Sequence, residues 1–145
     1  MGLFVDGIDG QKPPNLRSSA NLVKSGAYYS LVIHPIFATM ERISELSDSN
    51  FDTVLQAEVP VLVDFWSPTC APCRTLVPIL EELAEENEEE AIIAKVNAAQ
   101  YPALVAQYGI DTLPTLLFFY QGKVVERMVG VQSKHKLQSA LDEIE

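Results

Sequence analysis

The 145 residues, 48% of them apolar and 21% charged, match one ordinary globular domain with enough apolar side chains to build its own core, and lie well away from disorder. A net charge of −10 argues against nucleic acid and anionic membrane surfaces as partners. No run of about 18 apolar residues is present to span a bilayer, and two cysteines three positions apart do not make the framework of a secreted disulfide scaffold.

The acidity is unevenly spread. Residues 1–39 carry Lys12, Arg17 and Lys24 against Asp6 and Asp9, a net of +1, which leaves −11 for residues 40–145. The change in composition near Met40 marks an expected boundary, with an N-terminal extension before it and a complete small domain after it. Gly2, Gly7, Gly10, Pro13, Pro14 and Gly26 punctuate the start of the extension, and neither strand nor helix periodicity survives there, so an irregular arm is expected. Tyr28–Ala38, interrupted by His34-Pro35, reads as a strand that docks or as a merely sticky stretch. The opening Met-Gly-Leu-Phe-Val-Asp lacks the basic start of a signal peptide, and the expected location is cytoplasmic.

Beyond Met40 regular elements alternate. Ile43–Leu46 reads as a short strand, after which Asp48 or Ser49 caps a helix holding Phe51, Val54 and Leu55 on one face. Val61–Trp66 is apolar on both faces, as a central strand should be. A long helix from about Ala71 to Asn87 turns Leu76, Ile79, Leu80 and Leu83 inward, and Ala91–Asn97 is the next strand. The glutamates between Glu81 and Glu90 are a solvated helix face followed by a loop. Pro102 suits the first turn of a helix that ends at Gly109. Thr115–Tyr120 and Lys123–Val129 are strands joined tightly by Gln121-Gly122, and Ser133 caps a last helix carrying Leu137, Leu141 and Ile144. The order βαβαβαββα predicts an α/β fold, a mixed central sheet with helices on both faces.

Chemistry concentrates in Cys70-Ala71-Pro72-Cys73, which follows the central strand and opens the long helix. The thiolate is the reactive form of cysteine. The unpaired N–H groups and positive partial charge of a helix N-terminus favour that anion. Cys70 is therefore the expected exposed nucleophile, and Cys73, one turn further in, the shielded partner that resolves the intermediate. Pro72 is tolerated in the first turn because its missing N–H has no helical partner to lose. A structural zinc site wants four ligands, and this pair supplies two.

From about Ile43 to Glu145 the chain resembles the thioredoxin family. The residues that carry the likeness are Val63-Asp64-Phe65-Trp66, Cys70-Ala71-Pro72-Cys73-Arg74, Pro78 in the helix, Ala94-Lys95-Val96-Asn97, Tyr108-Gly109-Ile110, Leu113-Pro114-Thr115, Gly122 and Gly130. The resemblance implies a thioredoxin fold and a protein-disulfide oxidoreductase. In that role Cys70 attacks a client disulfide, and Cys73 resolves it with help from the buried Asp64 and the nearby Lys95. It further implies that Pro114 is a cis proline leaving a backbone edge at Leu113 for substrate. Trp66, Thr69, Ala71, Pro72 and Gly130 join these two around the dithiol as the substrate surface. The implied partners are disulfide-containing client proteins and an NADPH-dependent thioredoxin reductase, with no bound cofactor and a monomer as the default. Thr69 stands where the family usually has tryptophan, and Ala71 where it has glycine, which touches partner choice and reduction potential. Two other uses of the fold stay open at this point: a binding or scaffold module, and an oxidant or isomerase.

Overall fold

The structure, a computed structural model, describes residues 42–144. The expectations for the 1–39 arm, the Tyr28–Ala38 stretch, His34 and the boundary at Met40 lie outside the described residues. Within them the elements are β1 (Ser44–Leu46), α1 (Phe51–Leu55), β2 (Val61–Trp66), α2 (Ala71–Glu86), β3 (Ile92–Asn97), α3 (Pro102–Gln107), β4 (Thr115–Tyr120), β5 (Lys123–Val129) and α4 (Lys134–Asp142). This is the expected order, and the five strands form a mixed sheet in the order β1-β3-β2-β4-β5. β3 runs parallel to both β1 and β2, whereas β4 is antiparallel to β2 and to β5.

Alternation along each strand divides the core into two layers. Val61, Val63 and Phe65 of β2, with Leu117 and Phe119 of β4, pack under Phe51 and Leu55 of α1 and Leu104 of α3. Leu62 of β2, Ile93 of β3, and Leu116 and Phe118 of β4 face the other way, against Leu76, Leu80 and Leu83 of α2 and Leu137 and Leu141 of α4. Both faces of β2 are covered, which is why its sequence is almost continuously apolar. Asp64 is the exception.

Local signals act largely where the sequence places them. The Ser133 hydroxyl accepts the Lys136 N–H at 3.1 Å and caps α4. α3 gives way to Gly109 at φ +61°, and Gln121 and Gly122, both at positive φ, make the β4–β5 turn. α1 departs from expectation. It begins after Asn50 and not after Asp48 or Ser49, and the Asn50 side chain caps nothing in the helix. Its Oδ1 instead accepts the Ser47 N–H at 2.7 Å, closing the turn before the helix.

Candidate active site

The C-terminal end of β2, the N-terminal end of β4 and the C-terminal end of β5 lie at one rim of the sheet, because β4 is antiparallel to both neighbours. The loop leaving β2 there runs through Ser67, Pro68 and Thr69 to Cys70. Cys70 is the N-cap of α2, with extended backbone, and its Sγ accepts the Cys73 N–H at 3.2 Å. The sulfur thus fills the place a serine or aspartate oxygen takes at most helix starts. Cys70 is half-buried, while Cys73 is 2% exposed. A bond of 2.20 Å joins the two sulfurs, with Cα atoms 5.3 Å apart. Thr69, Ala71 and Pro72 are exposed beside it. Arg74 donates from Nη1 to the Pro68 carbonyl at 3.0 Å, bracing the loop from the helix side.

Leu113 and Pro114 reach the same rim from β4. The peptide bond between them is cis. Pro114 is buried and Leu113 half-buried. The Gly130 N–H, just past β5, donates to the Pro114 carbonyl at 2.8 Å. The resemblance grouped these three residues, and the sheet register brings them together.

Beneath the rim, Asp64 points with Leu62 to the α2 side of the sheet and is 2% exposed. Its Oδ1 is buried without a hydrogen-bond partner. Burial pushes its carboxyl up to about 7; Lys95 opposes this by its positive charge, and Glu45 adds to it by its negative charge. Lys95 is opposite Asp64 in the strand register, as the resemblance requires. Its ammonium, however, pairs with Glu45 at 3.6 Å and lies 5.2 Å from the centre of the Trp66 ring. Trp66 is half-buried, and its Nε1 is buried without a partner.

Sequence reasoning omitted Glu45 from the site. The missing signal is the sheet order. β1 pairs with β3 and not with its sequence neighbour β2, which sets Glu45 opposite Lys95.

A bonded cysteine pair at the start of a helix, one sulfur reachable and one sealed, set on a mixed α/β sheet, defines a thiol–disulfide oxidoreductase. The family model described as Thioredoxin matches residues 42–143. A thioredoxin of Chlorobaculum thiosulfatiphilum is 45% identical over 100 residues, covering 68% of this chain and 93% of that protein. A thioredoxin of Alicyclobacillus acidocaldarius subsp. acidocaldarius is 40% identical over 99 residues, or 68% of this chain and 94% of its own length. The chloroplastic thioredoxin M-type of Spinacia oleracea is 35% identical over 115 residues, 79% of this chain and 64% of that protein. The chain belongs to the thioredoxin family.

Proposed function

We propose that the protein is a disulfide reductase, working on client proteins through the Cys70/Cys73 dithiol. The Cys70 thiolate attacks one sulfur of a client disulfide and forms a mixed disulfide, and the departing client sulfur takes up a proton. Asp64 then accepts the proton of the Cys73 thiol, and the Cys73 thiolate attacks the Cys70 sulfur. The second client sulfur leaves as a thiolate, so the client gains two electrons and the protein becomes the Cys70–Cys73 disulfide. The observation that carries this reading is the contrast in access between the two sulfurs, with Cys70 half-buried at the helix cap and Cys73 2% exposed beneath it. Client backbone docks against Leu113 and Pro114, with Trp66, Thr69, Ala71, Pro72 and Gly130 shaping the surface.

The partners proposed with this role are client proteins carrying disulfides and an NADPH-dependent thioredoxin reductase that restores the dithiol. The acidic domain of residues 40–145 acts as a monomer in a reducing compartment such as the cytoplasm, without nucleic acid or membrane, and residues 1–39 form an extension to it. No helix among the described residues is long and apolar enough to cross a membrane.

Insulin reduction coupled to a thioredoxin reductase tests the activity, and a Cys73→Ser variant tests the order of attack. The variant is expected to retain client proteins as mixed disulfides through Cys70. If it retains none while the parent reduces insulin, the assigned order is wrong. A reduction potential near about −180 mV, in place of the roughly −270 mV usual for thioredoxins, would mark an oxidant or isomerase.

A further inference from the structure

Three charged side chains lie in register across three neighbouring strands. Glu45 of β1 is opposite Lys95 of β3, and Lys95 is opposite Asp64 of β2. All three point to the α2 side of the sheet, since Lys95 alternates with Ala94 and Val96 of the other layer. The row grades from solvent inward: the Glu45 side chain is 52% exposed and that of Lys95 33%, while Asp64 is 2% exposed. Lys95 therefore has two carboxylates to choose between. It is ion-paired with the outer one, and Asp64 keeps an oxygen that no donor reaches. The Trp66 ring, 5.2 Å from the ammonium, helps hold it there.

The remaining surroundings of Asp64 offer little to compete with this arrangement. β4 places Leu116 opposite it, and α2 and α4 cover that face with Leu76, Leu80, Leu83 and Leu137. The charged side chains that α2 and α4 carry include Glu82 and Glu86, paired with Lys134, and Glu85, paired with Arg42. Cys73, the proton donor in the proposed reaction, is buried in the first turn of α2.

We infer that Glu45 is a positioning residue for the exchange reaction, holding the Lys95 ammonium at the outer end of the row so that Asp64 stays free to take the Cys73 proton. The inference rests on the reading of Asp64 as that acceptor. It makes the outer carboxylate, some distance from any sulfur, a determinant of the pH at which the resolving step runs.

The direction of the effect follows from both of Glu45's actions. Its negative charge pushes the Asp64 carboxyl up, and Lys95 pulls it down. Replacing Glu45 by glutamine removes the first influence and releases Lys95 to approach Asp64. Both changes lower the Asp64 pKa. A weaker base accepts the thiol proton less readily, yet it stays ionised to lower pH.

The test uses the full chain, reduced, and reads two things. The first is the Asp64 titration midpoint, from carbon NMR of its carboxyl group. The second is the pH dependence of the second thiol release from an aromatic chromogenic disulfide, which reports attack by Cys73 on the mixed disulfide at Cys70. Glu45→Gln is expected to lower the midpoint and the acid limb together by about one unit, the low end of what an opposite charge within about 4–6 Å does to a carboxylate. Resolution should slow above that limb. Lys95→Met should move both readings the opposite way, and Glu45→Asp should restore most of the parent profile.

In an Asp64→Asn background, Glu45→Gln should leave the profile unmoved. An Asp64→Asn variant that keeps the parent's acid limb would defeat the proton-acceptor reading itself. If Asp64→Asn abolishes the limb but Glu45→Gln shifts neither midpoint nor limb, Asp64 stands and the inference about Glu45 fails.

Discussion

The Gly130 amide donates to the carbonyl of Pro114 at 2.8 Å, tying the end of β5 to the start of β4 beside the dithiol. Gly130 holds φ at +88°, and a Cβ built on it meets no atom within 4 Å. A side chain there costs backbone strain and not a clash. Gly130→Ala should destabilise by about 1 kcal/mol, the cost of a left-handed conformation for an L-residue. Urea titration should show a lower midpoint at an unchanged slope. If client backbone docks at Leu113 and Pro114 as proposed, turnover of a protein disulfide should fall more than attack on a small aromatic one.

Asp64 should make stability depend on pH. Its carboxyl lies at about 7 in the folded chain against an ordinary 3.8. Between those values the folded state holds a proton that the unfolded state has released, so stability falls as pH rises through the window. At about 1.4 kcal/mol per unit, the full penalty above the window is on the order of 4 kcal/mol. Asp64→Asn is expected to stabilise clearly near pH ~8 and hardly at all near pH ~4. Urea denaturation at the two values checks it, and equal gains at both would remove the titration as the cause.

Helices α2 and α4 are clamped by a reciprocal pair of amides. Asn87, 4% exposed, donates from Nδ2 to the Leu83 carbonyl and to Gln138 Oε1, both at 2.8 Å, and accepts from Gln138 Nε2 at 3.0 Å. Gln138→Ala strands the buried partner and should cost about 1–3 kcal/mol. The double variant with Asn87→Ala should cost less than the two single losses combined, which a double-mutant cycle in denaturant measures.

Cys70 has a second duty that its chemistry hides. With the Cys70–Cys73 bond formed, its sulfur caps α2 by accepting the Cys73 N–H. Cys70→Ser and Cys70→Ala should both abolish disulfide exchange. The serine variant should nonetheless be the more stable by about 1 kcal/mol, since its hydroxyl supplies the stronger acceptor at the N-cap. Thermal unfolding of the two variants, neither able to form the bond, makes the comparison directly.

Much of this was legible from the chain. The nearly continuous apolar run Val61–Trp66 announced a strand covered on both faces. The Cys70-to-Cys73 spacing at a helix start pointed to the more accessible and the sealed sulfur, though Cys70 is half-buried where full exposure was expected. Ser133 and the Gln121-Gly122 turn carry local signals that operate within a few residues, so no tertiary context overrode them. Asn50 shows the limit of such signals. Asp48, Ser49 and Asn50 are comparable helix-capping residues, and the turn through Ser47 decided among them. Glu45 shows a deeper limit. Its neighbour Lys95 is fifty residues away, and their meeting depends on β1 skipping β2 to pair with β3. Periodicity places a side chain on a face, but strand order decides what stands next to it.

The middle position of β2 in the sheet has a consequence for how the protein survives repeated cycling. Its amides are bracketed by β3 on one side and β4 on the other, so they should be among the last to exchange with heavy water, while the turn that presents Cys70 opens to solvent. Asp64, the proton acceptor in the proposed reaction, thus sits in the part of the described residues expected to open most slowly, and the half-buried Cys70 at its rim. Each turnover can break and remake a covalent bond without loosening the strand that supports it.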